Sequence, residues 1–253
     1  VATALIINNH IYFLGTGETM KITILLMSIL GFFQATSFAD FSSAKDVLKK
    51  IYSTGGECFY CDEAFNEKFE FTKFDGYKTI SMHESRAKQV EWEHVVPAAH
   101  FGRHFKEWTN GDAAKCPGYK GRKCARRNAQ FREIEGDLNN LMPTIGQVNA
   151  VHGSLDYVEI PGEKTLFGSC DVEFTDSGFE PPNHLKGDIA RIHWYMEAKY
   201  HLTLVNDQKR ALFKLWEIQD PINRLECERV KSRGIDSGVF KDFCQEIGTL
   251  NLP

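Results

Sequence analysis

The stretch that decides the reading is Val90-Glu91-Trp92-Glu93-His94-Val95-Val96-Pro97-Ala98. Its β-branched and aromatic residues predict a strand over 89–96, and Pro97, which cannot donate to a ladder, ends it. A Glu-His pair inside such a strand has two readings. One is a half-exposed strand end with a hydrogen-bonded histidine. The other is a site in which Glu93 holds a metal ion and His94 is a general base, since an unperturbed imidazole titrates near ~6.5 and accepts a proton at neutral pH. Neighbours on a regular strand face opposite ways. Both side chains therefore serve one site only if the strand is distorted, and its end at Pro97 is where distortion is expected.

The second informative segment is Glu135-Gly136-Asp137-Leu138-Asn139-Asn140-Leu141-Met142-Pro143. Residues 137–142 are predicted to be extended, and a helix is predicted over 143–150 with Pro143 in its first turn. Asn140 then falls just before a helix start. It is either an N-cap or a neutral oxygen ligand. Glu93 plus Asn140 around Mg²⁺ would leave about one positive charge, which suits a phosphodiester partner better than a cage of carboxylates would. Between the two segments lie Lys115, Lys120, Arg122, Lys123, Arg126 and Arg127, with no acidic residue among them. A charge run is ordinarily a solvated face. Placed between two candidate site segments of an acidic chain, it points to phosphate contacts, which are sequence-independent and salt-sensitive.

Further out, Ser42/Ser43 are expected to cap a helix over 44–52, and residues 53–88 read as loops. A short helix is predicted over 98–108, a loop over 109–124 and a helix over 125–135. Loop and short strands are expected over 153–183. Helical spacing is clearest at 185–201, through Ile189, Ile192, Met196 and Tyr200, and at 207–219. Asp220-Pro221 is expected to open another helix through Leu225 and Val230, and 240–245 a last short turn. The fold class that follows is α+β, one helix-rich mixed domain over 40–253.

The chain has 253 residues, 42% hydrophobic and 25% charged, which excludes a disordered chain, a collagen-like fibre and a long coiled coil. A net charge of −4 excludes a uniformly basic coat but not a basic patch. Met20-Lys21, the apolar run Ile22 to Phe33, and small residues at Ser37 and Ala39 have the anatomy of a cleaved secretory signal over 20–39. Thr23, Ser28 and Gln34 interrupt the run, and a spanning helix needs about 20 apolar residues. Residues 1–19 are read as translated leader, with the start at Met20. The seven cysteines all follow residue 39, where export favours disulfides. Cys116 with Cys124 and Cys227 with Cys244 are the short-range candidates, leaving one thiol over among Cys58, Cys61 and Cys170. The competing reading is zinc on Cys58-x-x-Cys61.

Taken in order, Glu93-His94-Val95-Val96-Pro97-Ala98, Phe101-Gly102, Gly121-Arg122-Lys123-x-x-Arg126, Asp137-Leu138-x-Asn140-Leu141-x-Pro143 and Ile145-Gly146-x-Val148-Asn149 resemble the bacterial endonuclease I family. The resemblance continues in Ile189-Ala190-Arg191, Tyr195-Met196, Trp216 and Cys227. It implies a disulfide-stabilised domain with a ββα-metal (His-Me finger) motif. It further implies an exported, periplasmic or secreted, monomeric nuclease that cuts DNA, and by extension RNA, without sequence preference, leaving 5′-phosphates. Carried over by position, His94 is the general base, Glu93 and Asn140 hold one Mg²⁺ (with Mn²⁺ or Ca²⁺ as substitutes), and Arg122 contacts the scissile phosphate. Lys115, Lys120, Lys123, Arg126 and Arg127 are the nucleic-acid contacts. Asn139 stands where the family commonly has His, and His152 where Arg is usual, which would weaken a phosphate contact. Asp75 replaces a familiar Cys, and Cys58 looks additional. The alternative is a secreted nucleic-acid-binding protein without catalysis, which would not need Glu93, His94 and Asn140 together. A zincin-type metalloprotease is disfavoured because no His-Glu-x-x-His occurs, and a structural disulfide-rich domain would not need the basic loop.

Overall fold

The computed structural model describes residues 3–7, 10–14, 40–162, 164, 166–234, 240 and 244. The chain divides into two units, Val1–Ser37 and Phe38–Pro253. In the first, β1 (Thr3–Ile7) and β2 (His10–Leu14) pair antiparallel, with Thr3 opposite Leu14. The expected signal over 20–39 lies outside the described residues. Among the described residues no helix is long and apolar enough to cross a membrane.

The second unit opens with α1 (Phe41–Ile51). Its cap is Asp40, not Ser42 or Ser43: the Asp40 carboxylate accepts the Ser43 N–H at 2.9 Å, and the serines fall inside the first turn. β3 (Gly56–Glu57) and β4 (Ala64–Phe65) form a minimal hairpin in the stretch expected to be loop. β5 (Val90–His94) follows. The helix expected over 98–108 is two, α2 (Ala98–Gly102) and α3 (Lys106–Thr109). The break lets Trp108 fold back on Gly102, where a Cβ would come within 2.3 Å of the indole. α4 (Arg122–Ala125) starts inside the expected loop, and α5 (Ala129–Glu135) starts later than expected, because Asn128 caps it by accepting from the N–H groups of Gln130 and Phe131.

β6 (Leu141–Ile145) pairs antiparallel with β5, from Val90 opposite Ile145 to His94 opposite Leu141, and runs directly into α6 (Gly146–His152). Pro143 is therefore a strand residue and not the first turn of a helix. The ribbon tolerates it for a geometric reason. Val95 N–H bonds to Asn140 O and Gly146 N–H to Gln89 O. Alternation from those two bonds puts the Trp92–Pro143 pair at a non-bonded position, so the missing N–H faces away from β5. All five residues of β6 are buried.

Beyond α6, β7 (Asp156–Tyr157), β8 (Glu173–Thr175) and β9 (Gly178–Glu180) make a three-stranded sheet in the order β7-β9-β8, with β7 and β9 parallel. Three helices follow, α7 (Lys186–Tyr200), α8 (Asp207–Gln219) and α9 (Arg224–Ser232). α7 is buried on most sides, including Asp188, Arg191 and His193, so apolar spacing alone understates its coverage. Arg191 forks onto the buried Glu226 of α9, and Arg229 pairs with Asp188. α9 begins after Asn223, not at Pro221. Asp220 instead turns back to α7, where its carboxylate accepts the Gly187 N–H at 2.8 Å. Of the turn expected over 240–245, only Phe240 and Cys244 lie within the described residues.

Three disulfides join Cys61–Cys170, Cys116–Cys124 and Cys227–Cys244, and Cys58 is the buried free thiol. Both short-range pairs are as expected. The zinc reading of Cys58-x-x-Cys61 is overturned, because Cys61 is bonded to Cys170.

His193 supplies a test of this packing. Its Nδ1–H donates to Ile189 O at 2.8 Å, and its ring packs edge-on to Phe213 at 4.8 Å. Burial pushes the imidazole down to about 3. Below the unfolded pKa of about 6.5 the unfolded chain binds a proton that the folded chain refuses. This contribution to stability is therefore intact above that value and falls as pH drops from there toward 3, by up to ~1.4 kcal/mol per pH unit. Denaturant titrations of wild type and His193→Phe should show a shallower acid loss in the variant; parallel pH profiles would contradict the assignment.

Candidate active site

The β5–β6 ribbon and α6 set the site. β5 pairs regularly through His94, and its two terminal side chains face opposite ways; the chain bends beyond them, at Val95 and Val96 before Pro97. Both nevertheless border one cleft of about 680 Å³, whose lining includes Phe41, Lys45, Glu93, His94, Trp108 and Arg122.

His94 points toward α1, α2 and α5. Its ring lies 4.8 Å from that of Phe41 and 6.2 Å from that of Phe101, and only 8% of the residue is exposed. Its Nε2 is 2.8 Å from the Glu135 backbone oxygen. A carbonyl only accepts, so Nε2 carries the proton and Nδ1 keeps its lone pair. Burial first, and then the Arg122 charge, push the imidazole down to about 4. The ring is thus neutral at neutral pH and held in the tautomer of a proton acceptor.

Glu135 does more with its side chain. The buried carboxylate accepts Arg122 Nε at 2.5 Å and Arg126 Nε at 2.9 Å. Burial opposes its ionisation, but the Arg126 and Arg122 guanidiniums outweigh it and hold the carboxyl below its ordinary range. Arg122 also stacks over Phe41 at 5.5 Å, and its Nη2 is buried with no partner among the described residues. Phe41 itself is fixed because α1 starts tightly against the end of α5: a Cβ on Gly136 would lie 2.8 Å from the Asp40 backbone.

Glu93 faces the other side. Its Oε1 accepts from His152 Nδ1 and, at 3.4 Å, from the Tyr60 hydroxyl, which in turn meets the Tyr157 hydroxyl at 2.6 Å. His152 is fully buried here, 4.7 Å from the Phe179 ring. The hydrogen-bond partner of residue 152 is thus Glu93.

Asn140 is neither an N-cap nor a member of the cleft lining. It ends a one-turn 3-10 segment, Leu138–Asn140, and is fully buried. Its Oδ1 accepts the Val96 N–H at 2.6 Å and its Nδ2 donates to Val96 O at 3.0 Å. This clamp extends the ribbon one step past its last ladder pair. Asn139 is also buried, and both its amide atoms lack partners among the described residues. Two oxygen donors fit a hard cation: Glu93 takes its two hydrogen bonds on Oε1, leaving Oε2 free of them, and the Asn140 amide oxygen keeps a second lone pair. No cluster of three His, Cys, Asp or Glu residues suited to a metal occurs among the described residues, so water or phosphate oxygens would have to complete the shell.

The basic loop is only partly free. Lys115 pairs with buried Glu107 at 3.3 Å and Arg126 with Glu135. Lys120, Lys123 and Arg127 are exposed, Lys123 resting over the Tyr119 ring at 4.7 Å. Sequence reasoning missed Phe41, Glu135 and the Tyr60–Tyr157 pair. Glu135 opens the second quoted segment, but nothing in its spacing marks it as the partner of His94.

The Asn140 clamp can be tested without any activity assay. Asn140→Ala leaves both buried backbone groups of Val96 unpaired, at ~1–3 kcal/mol each. Denaturant unfolding should show a loss of about 2–4 kcal/mol; a loss under ~0.5 kcal/mol, the usual scatter of a neutral substitution, would mean that the clamp carries no weight.

Residues 28–233 match the family model of Endonuclease I. The chain is 34% identical over 222 residues to a periplasmic deoxyribonuclease of Aeromonas hydrophila, covering 84% of this chain and 88% of that one. It is 34% identical over 221 residues to an extracellular deoxyribonuclease of the same organism, covering 84% and 90%. Against Endonuclease-1 of Buchnera aphidicola subsp. Acyrthosiphon pisum it is 32% identical over 206 residues, covering 79% and 78%. With the match spanning most of the chain, this protein belongs to the endonuclease I family.

Proposed function

We propose that this chain is an exported endonuclease that hydrolyses phosphodiester bonds of DNA, and of RNA, without sequence preference, leaving 5′-phosphates. The observation that carries the reading is His94: neutral, with Nδ1 unprotonated, beside Arg122 in an open cleft. Export is supported by the names of the periplasmic and extracellular relatives and by the three disulfides.

His94 Nδ1 takes a proton from the attacking water. The water oxygen bonds to phosphorus as the bond to the 3′-oxygen breaks, and solvent returns a proton to that oxygen. Arg122, oriented by Glu135 and Phe41, neutralises charge on the phosphate. Glu93 and Asn140 would hold one Mg²⁺, in the setting of a ββα-metal motif formed by β5, β6 and α6. When bound, the ion supplies Lewis-acid stabilisation of the phosphate and the leaving oxygen. Glu93 is kept in place by His152 and Tyr60, and Asn140 by Val96. Backbone-directed contacts of this kind carry no base information, which suits a non-specific enzyme.

Plasmid cleavage should require Mg²⁺, stop with EDTA, and fall ~10²–10⁴-fold in His94→Ala, the usual contribution of a positioned base. DNA binding by the variant should persist. Undiminished cleavage by His94→Ala would remove its role as base. Binding without metal-dependent cleavage by the wild type would favour a binding module.

A further inference from the structure

Several observations converge on α1. Lys45 and Lys49 both line the cleft that holds His94 and Arg122. They sit one helical turn apart, so their side chains rise from one face. Neither has a carboxylate within ion-pair distance among the described residues, in contrast to Lys115 and Arg126 of the expected loop, which are already paired. Of the carboxylates in the same cleft, Glu91 is taken by Arg86 and Asn149, and Glu93 accepts from His152 and Tyr60 on Oε1.

The Phe41 ring gathers two cations. The Lys45 ammonium lies 5.0 Å from its centroid and the Arg122 guanidinium 5.5 Å. Both benefit from the ring's negative face, yet they repel each other, and an anion shared between them would relieve that. Glu135 cannot serve, since it is shared by Arg122 and Arg126. A second cavity of about 240 Å³, lined by Phe41, Lys45, Arg126 and Arg132 together with the carboxylates Asp40 and Glu135, adjoins the first through Phe41 and Lys45; Asp40 accepts the Ser43 N–H at the start of α1, and Glu135 is held by Arg122 and Arg126. The cations of this face without an ion-pair partner among the described residues therefore run from Lys49 through Lys45 to Arg132. A linear polyanion fits it better than a single small anion does.

We propose that α1 is the far wall of the nucleic-acid channel, with Lys45 and Lys49 taking backbone phosphates of the strand whose scissile phosphate lies at His94 and Arg122. The inference rests on the nuclease reading and adds contacts to it. It also shifts part of the phosphate binding from the 115–127 loop to a helix pinned against the catalytic side chains, so that binding and alignment are coupled through Phe41.

The test is binding of a short fluorescein-labelled DNA duplex in EDTA, followed by anisotropy across a salt series. The proteins are wild type, Lys45→Ala/Lys49→Ala, and a control, Lys214→Ala/Lys231→Ala, whose exposed lysines line neither cavity. Loss of two phosphate contacts should make the slope of log affinity against log salt shallower by about 1.8. It should also weaken binding at least about tenfold near ~0.1 M salt. The control should match wild type in affinity, in salt slope and in hydrolysis of bis(p-nitrophenyl) phosphate. An unaltered slope and affinity in Lys45→Ala/Lys49→Ala, while wild type cleaves DNA, would overturn the α1 assignment and leave the nuclease reading intact. A wild type that neither binds nor cleaves DNA would overturn both. Lys45→Glu/Lys49→Glu guards against compensation by neighbours: it should weaken binding further than the alanine pair, and equal affinity would count against the contact.

Discussion

Glu135 is the residue on which the arrangement depends. Its backbone oxygen fixes the imidazole of His94 with Nε2 protonated. Its carboxylate, buried and ionised, gathers Arg122 and Arg126. In the proposed mechanism, a base that must be neutral and a cation that must reach a phosphate are thus set by one residue at the end of one short helix. The two demands oppose each other, because Arg122 beside His94 makes a protonated imidazole unfavourable. Arg122 and Arg126 in turn compensate the buried carboxylate of Glu135, since an unpaired charge in that position would be expensive.

The surrounding fold serves to hold that end of α5 against the end of β5. Asn140 carries the ribbon past its last ladder pair by bonding both backbone groups of Val96. Gly136 allows α1 to begin in contact with the α5 terminus, which lays Phe41 against His94 and under Arg122. On the opposite face of β5, Tyr60 and His152 fix Glu93. Helices α7 to α9 supply a separately braced support through the Arg191–Glu226 fork.

Much of this was legible where local chemistry decides. A strand through Glu93 and His94 is found, though it ends at His94 and not at Val96; the bounds of α8 follow apolar spacing, and short separations identify two disulfides. What was not legible depends on partners distant in sequence. Pro143 looks like a helix start until β5 is known to pair with β6 at a register that needs no N–H from it. Asn140 looks like an N-cap until Val96 is placed beside it. Asp220 shows that a capping residue type does not reveal which helix end it serves, because it reaches α7 across the fold. His152 stands where the family usually has Arg, and it is buried on Glu93, a contact across 59 residues that no local pattern encodes. Within the site, the residue types of the base and its neighbours were readable, but the residue that orients them was not.

The central claim is that the Glu135 carbonyl holds His94 neutral with its proton on Nε2. The most direct measurement is the ¹⁵N chemical-shift pattern of the His94 ring in labelled protein at neutral pH, without DNA or metal. A protonated Nε2 beside an unprotonated Nδ1 is the predicted result. An imidazolium, or the tautomer with its proton on Nδ1, would contradict the account.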